Sequence, residues 1–178
     1  MTTVAFNGKI LAADSLVIAG SHICDTQAQK IFMGERGIAA WTGAQGIGMK
    51  LVQWLMAGKP DSDLKFPVRD ELVAYALWIP TRGPIEIYDS RDYHTIDKLP
   101  RIPYAQGYGS EYALGAMLAG ADPINAVRIA SMCETSTGGD FIQYIEIFEP
   151  EDENSDRTFS KPREEEFKIQ MDKNWVYY

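Results

Sequence analysis

Thr2-Thr3-Val4-Ala5-Phe6-Asn7-Gly8-Lys9-Ile10-Leu11-Ala12-Ala13-Asp14 opens the chain, and its reading decides the fold. Apolar and β-branched residues flank Asn7-Gly8, which predicts strands Thr3 to Phe6 and Lys9 to Ala13 joined by a two-residue Asn-Gly turn. In that register Phe6 pairs with Lys9, Val4 with Leu11 and Thr2 with Ala13, so Asp14 falls beside the start of the chain. The face to which Asp14 points stays open, because side chains alternate along a strand and a bulge would reverse the choice.

Outward from this hairpin, Gln29-Lys30-Ile31-Phe32-Met33 and Gly37-Ile38-Ala39-Ala40-Trp41-Thr42 predict a second antiparallel pair around Gly34 to Arg36. From Ala44 to Met56, Ile47, Leu51, Trp54 and Leu55 recur at helical spacing until Gly58 and Pro60 stop the run. Asp61 to Asp70 is polar and broken by Pro67. Glu71 to Ile79 and Ile85 to Tyr88 then predict a third hairpin about Pro80-Thr81-Arg82-Gly83. A loop rich in Pro and Tyr leads to Gly107-Tyr108-Gly109-Ser110, which opens a helix of small residues from Tyr112 to Gly120. Asp122-Pro123 supplies an N-cap and a first-turn proline for a helix through Cys133. Phe141 to Phe148 predicts a final core strand. In Glu149 to Asp156 five of eight residues are acidic, and this stretch is expected to be a solvated loop.

Composition narrows the function classes. The 178 residues suit a single domain spanning 1–178, with 149–178 as an acidic loop and C-terminal extension. A net charge of -8 disfavours nucleic acid and anionic lipid as partners. Cys24 and Cys133 form no C-x-x-C pair, and His22 and His94 lack partners at ligand spacing, so no disulfide framework, metal or cofactor is implied. No apolar run is long enough to span a bilayer, and a cytoplasmic, non-membrane location is expected.

The opening Thr2-Thr3-Val4-Ala5-Phe6, with Gly8 and Ala12-Ala13-Asp14-Ser15, resembles the start of proteasome β-subunits and of the bacterial heat-shock locus V peptidase. Lys30 stands where that family keeps its active-site lysine, and Trp41-Thr42-Gly43 is similar to the segment whose glycine amide stabilises the oxyanion. Gly107-Tyr108-Gly109-Ser110, the helix that follows and Thr137-Gly138-Gly139 fall in family order, so the resemblance covers roughly residues 2 to 148. It implies an α+β fold, the four-layer αββα sandwich of N-terminal nucleophile hydrolases, here with a shortened second helix because only Ala57 to Asp70 is available for it. Tyr108 replaces the family's serine, and Glu134 and Thr137 correspond to its aspartate and serine; these three, with Ser110, are the expected supporting residues.

The implied activity is that of a threonine-type endopeptidase. Once Met1 is removed, which a small second residue permits, Thr2 would supply both a nucleophilic hydroxyl and a terminal amine. A free α-amino group has a reference pKa of about 7.7 to 8.0, suited to general-base duty near neutrality. Lys30 would disfavour protonation of that amine and stabilise the developing alkoxide, Asp14 would hold Lys30, and the Gly43 amide would donate to the oxyanion. Val17, Ala28, Trp41 and Gln45 are expected around the substrate pocket, the Trp41 indole favouring small side chains. The resemblance further implies a homo-oligomeric, stacked ring of six or seven subunits, peptides or unfolded chains as substrates, and an ATP-dependent unfoldase as candidate partner. Two alternatives stand beside it: a ring-forming subunit without activity, and an amidase acting on a small amide.

Overall fold

In the computed structural model, residues 2–60, 73–91, 95–99, 101–152 and 155–167 are described. The elements are β1 (Thr3–Phe6), β2 (Ile10–Ala13), β3 (Val17–Ala19), β4 (His22–Asp25), β5 (Ile31–Gly34), β6 (Gly37–Gly43), α1 (Gln45–Met56), β7 (Ala74–Pro80), β8 (Glu86–Asp89), β9 (Thr95–Lys98), β10 (Tyr104–Gly107), α2 (Ser110–Leu118), α3 (Pro123–Cys133), β11 (Phe141–Phe148), β12 (Thr158–Phe159) and β13 (Arg163–Glu166). The chain is α+β, with three helices and antiparallel sheets among these residues. None of the described helices is long and apolar enough to cross a membrane. The segment expected to hold the shortened second helix falls largely at 61–72, outside the described residues.

The opening hairpin forms, but in a different register. Val4 pairs with Ala13, Ala5 with Ala12 and Phe6 with Leu11. Asn7 does not enter the turn. Its Oδ1 accepts from the Lys9 N–H at 3.0 Å and the Ile10 N–H at 2.9 Å, its own N–H donates to the Ile10 carbonyl, and Gly8 alone takes a positive φ of 92° there. The two-residue loop is therefore Gly8-Lys9, with glycine at the first central position, because the Asn7 side chain gains more as a local acceptor than as a left-handed turn residue. Partners move by two residues, which leaves every side chain on its predicted face. Asp14 now falls opposite Thr3 rather than beyond Thr2, and its N–H donates to the Thr3 carbonyl at 3.2 Å.

One sheet runs β10-β1-β2-β11, with β12 and β13 both pairing β11; the other runs β5-β6-β7-β8-β9; β3 and β4 form a separate pair. Three cores follow from the alternation of side chains. Val4, Phe6, Leu11 and Ile145 of the first sheet meet Ile38, Ala40, Leu77 and Ile79 of the second. Ala5, Ala12 and Ile142, on the opposite face of the first sheet, pack with Ala113 and Met117 of α2 and Ala126, Val127 and Ala130 of α3. Ile47, Leu51, Val52 and Leu55 of α1 cover Ala39, Trp41, Ala76 and Trp78 of the second sheet. Strand β1 is buried on both faces, so no polar residue interrupts Val4-Ala5-Phe6. Small residues on α2 and α3 let backbone approach backbone, and the Asp122 side chain caps α3 by accepting from the Asn125 N–H at 2.8 Å.

Six strands lie outside the expected elements. Strands β3 and β4 fall between the first two hairpins, where no element was expected, β9 and β10 fall in the loop expected before Gly107, and the C-terminal extension contributes β12 and β13 to the edge of the first sheet. Tyr104–Gly107 pairs along β1, from Phe6 opposite Tyr104 to Thr3 opposite Gly107.

Candidate active site

The start of the chain is held by a buried ion pair. Asp14 Oδ1 accepts from the Lys30 ammonium at 2.9 Å and from the Thr3 N–H at 2.9 Å, while Oδ2 accepts from the Gly138 N–H at 3.0 Å. Because Lys30 Nζ and the Thr3 nitrogen share one oxygen, they can lie no farther apart than twice that distance. Lys30 Nζ also donates to the Leu16 carbonyl, and neither charged side chain is exposed. Burial pushes the Lys30 ammonium below its usual pKa and the Asp14 carboxyl above its own, while their mutual attraction opposes both shifts.

Around this pair the backbone is clamped by glycines. The Thr2 carbonyl accepts from the Tyr108 N–H at 3.2 Å and rests against Gly107, where a Cβ would overlap it. The Thr3 hydroxyl lies 2.6 Å from the Thr137 hydroxyl and accepts from the Gly109 N–H at 2.9 Å. A Cβ on Gly109 would sit 2.6 Å from the Thr3 Oγ1 and 2.7 Å from the Thr137 Oγ1. Gly107 and Gly109 therefore serve β1, seating Thr2 and Thr3, more than they serve the start of α2. Thr2 itself is fully buried, and its Oγ1 has no hydrogen-bond partner among the described residues.

No family model matches this chain, and no curated protein does.

Gln143 is a structural residue of the site that the sequence reading passed over. It lies on β11, and its buried Oε1 accepts from the Lys30 N–H at 2.8 Å and the Ile31 N–H at 3.1 Å while its Nε2 donates to the Ala28 carbonyl at 3.1 Å. One carboxamide thus replaces the strand neighbour that β5 lacks at its start. A polar residue in the apolar run Phe141-Ile142-Gln143-Tyr144-Ile145 was the available signal. Gln143→Leu is expected to leave two buried N–H groups and a carbonyl unpaired, destabilising the fold by about 2 to 4 kcal/mol in a urea titration.

Gly43 closes β6 with φ of 91°, and a Cβ there would overlap the Val73 carbonyl oxygen and the Ala74 Cα, so no side chain fits. The Trp41 N–H donates to Lys30 and the Ala44 N–H to Val73. Strand alternation then directs the Gly43 N–H to the same side as that of Trp41. There the ladder has ended, since Ala28, opposite Gly43 by extension of the β5–β6 register, gives its carbonyl to Gln143 instead. Gly43 also lines a cavity of about 900 Å³, together with Val17, Thr42, Gln45, Gln106 and Tyr108.

The predicted residues divide accordingly. Asp14, Lys30 and Thr137 converge on the Thr2–Thr3 segment; Gly43, Val17 and Gln45 border the cavity. Trp41 and Ala28 do not border it: the indole is fully buried, pressed against Gly48 of α1, with its Nε1 donating to the Gln29 carbonyl at 3.2 Å. Trp41 points to the helix-covered face of its sheet, so it acts through the core and not as a pocket wall. Tyr108 supports Thr2 through its backbone, while its side chain is 59% exposed. Glu134 accepts from the Ser136 N–H at 2.9 Å, committing its carboxylate to its own turn, and Ser110 opens α2 without a hydrogen bond to Thr2. Of the expected supporting hydroxyls, Thr137 alone reaches this segment, through its contact with the Thr3 hydroxyl.

Proposed function

We propose that this chain is an N-terminal threonine hydrolase that cleaves amide bonds of peptides or unfolded chains through an acyl-enzyme on Thr2. The observation that carries the reading is the shared oxygen of Asp14, which ties the Lys30 ammonium to the first peptide unit that remains once Met1 is removed. The Thr2 hydroxyl supports it, since it is buried with no hydrogen-bond partner among the described residues and so is not committed to holding the fold. In the proposed reaction the freed Thr2 amine takes the hydroxyl proton as Oγ1 attacks the carbonyl carbon. The Lys30 ammonium and the Gly43 N–H stabilise the negative charge that develops. The C–N bond then breaks, the proton passes to the leaving amine, and water releases the acyl group from Oγ1.

The same reading takes the three cores as the interfaces of a four-layer αββα sandwich: α1, the two facing sheets, then α2 with α3. It also includes assembly into a homo-oligomeric ring, for which the exposed Leu118 and Met132 on α2 and α3, each 68% accessible, supply apolar surface. A second reading, a ring subunit without activity, is favoured by the outward Tyr108 side chain and the committed Glu134. Intact mass separates the two. Treatment with an epoxyketone or β-lactone is expected to give a protein lacking Met1 and carrying one adduct, localised to Thr2. Retention of Met1 without an adduct establishes the inactive subunit instead.

A further inference from the structure

We infer that the cavity beside Thr2 is a subsite for a neutral substrate side chain bearing a hydrogen-bond donor, read by Gln106 and Thr42. The inference rests on the hydrolase reading for its purpose but not for its geometry. The described residues that line the cavity include no Asp, Glu, Lys or Arg, in a chain whose net charge is -8. Val17, Ile18, Ala19, Val73 and Tyr75 make its wall largely apolar. A charged side chain entering would lose water without gaining a counter-ion.

Within this wall two oxygens stand out. Thr42 Oγ1 and Gln106 Oε1 are buried without a hydrogen-bond partner, and besides Thr2 Oγ1 they are the only such side-chain atoms among the described residues. Register places them together with Thr2. Gln106 pairs with Val4 across β1 and β10, and so shares the intersheet face with Val4 and Phe6; Thr42 shares the face of Ile38 and Ala40, which meets it from the second sheet. Thr2 has the same parity as Val4. The unmatched oxygens thus fall at one end of the intersheet space, and Gly107 and Tyr108, which hold the Thr2 carbonyl, line the cavity with them. A carboxamide oxygen can only accept, so its natural complement is an N–H or O–H. Folding has already desolvated both oxygens, and a donor from the substrate restores what was lost, whereas a purely apolar side chain leaves them unpaired. Glutamine is the best match: neutral, with two donors at the end of an apolar stem.

Cys24 gives a readout that does not depend on catalysis, because it lines the same cavity and is exposed, while Cys133 is exposed on α3 and serves as internal reference. In the full chain carrying Thr2→Ala, the rate of Cys24 alkylation relative to Cys133 is followed as blocked peptides, identical except for a central Gln, Leu, Glu or Lys, are titrated. The Gln peptide is expected to protect Cys24 at a concentration about tenfold or more below the Glu and Lys peptides, and below the Leu peptide by a smaller factor. Gln106→Leu should abolish the preference for Gln over Leu while leaving protection by Leu unchanged. Thr42→Val, nearly isosteric, should reduce the same preference and guards against a folding defect in the first variant. Equal protection by charged peptides, equal weakening of the Gln and Leu peptides in both variants, or no protection by any peptide at millimolar concentration overturns the inference. Discrimination in Thr2→Ala alongside a wild-type protein that hydrolyses none of the peptides would leave the subsite standing and remove the hydrolase reading.

Discussion

Thr2→Ala is expected to reduce peptide hydrolysis by roughly 10⁴- to 10⁶-fold, the scale on which removal of a nucleophile acts in other acyl-transfer enzymes, and to abolish labelling by a β-lactone. Thr2→Ser keeps a hydroxyl and an amine at the same position and should remain labelled. Stability should move the other way. The Thr2 hydroxyl is buried without a partner, so replacing it removes an unsatisfied group at the cost of one methyl's packing. The urea midpoint of Thr2→Ala should therefore be unchanged or raised. An activity loss without a stability loss marks a residue kept for chemistry. Full hydrolysis by Thr2→Ala, measured with fluorogenic peptides, would falsify the assignment of the nucleophile.

Lys30→Met should destabilise the fold by about 3 to 5 kcal/mol, the usual effect of removing one partner from a buried ion pair, and should eliminate activity with it. The cause is the Asp14 carboxylate, which keeps the Thr3 and Gly138 N–H donors but loses its cation inside the protein. Its pKa, already raised by burial, must rise further. The sign of the pH dependence follows. A carboxyl whose folded pKa lies above its unfolded value binds more protons in the folded state, so its contribution is present at low pH and is lost as pH rises from the unfolded value through the folded one. Lys30→Met should therefore lose stability more steeply than wild type as pH rises above about 4, the ordinary carboxyl value. Adding Asp14→Asn removes the stranded charge, and the double variant should be more stable than Lys30→Met alone at neutral pH. If urea midpoints of the two single variants simply add in the double variant, the pair is not coupled and this account of the site fails.

The amino-acid sequence by itself determined what local chemistry can determine. An apolar run on each side of Asn7-Gly8 makes a hairpin, the stripe of Ile47, Leu51 and Leu55 makes α1, and Asp122-Pro123 starts α3, because each signal is completed within a few residues of itself. Thr2, Asp14, Lys30 and Gly43 were expected as a set from their resemblance to a known pattern; of these, Asp14 and Lys30 meet at the Thr2–Thr3 segment in the structure. Tertiary structure decided the rest. The hairpin register turned on whether the Asn7 side chain would accept from two backbone N–H groups or let its residue enter the turn, and that choice set Asp14 opposite Thr3. Tyr104–Gly107 became a strand only because β1 offered an open edge, and Gly107 and Gly109 are glycines for the sake of Thr2 and Thr3, more than a hundred residues distant in the chain. Gln143 anchors the Lys30 segment across a similar separation. The orientation of Trp41 toward α1 and of Thr42 toward the intersheet space depends on which face of the sheet each helix and sheet came to cover. Contacts of that range leave no periodic trace along the chain, since each rests on a single pair of residues brought together by packing.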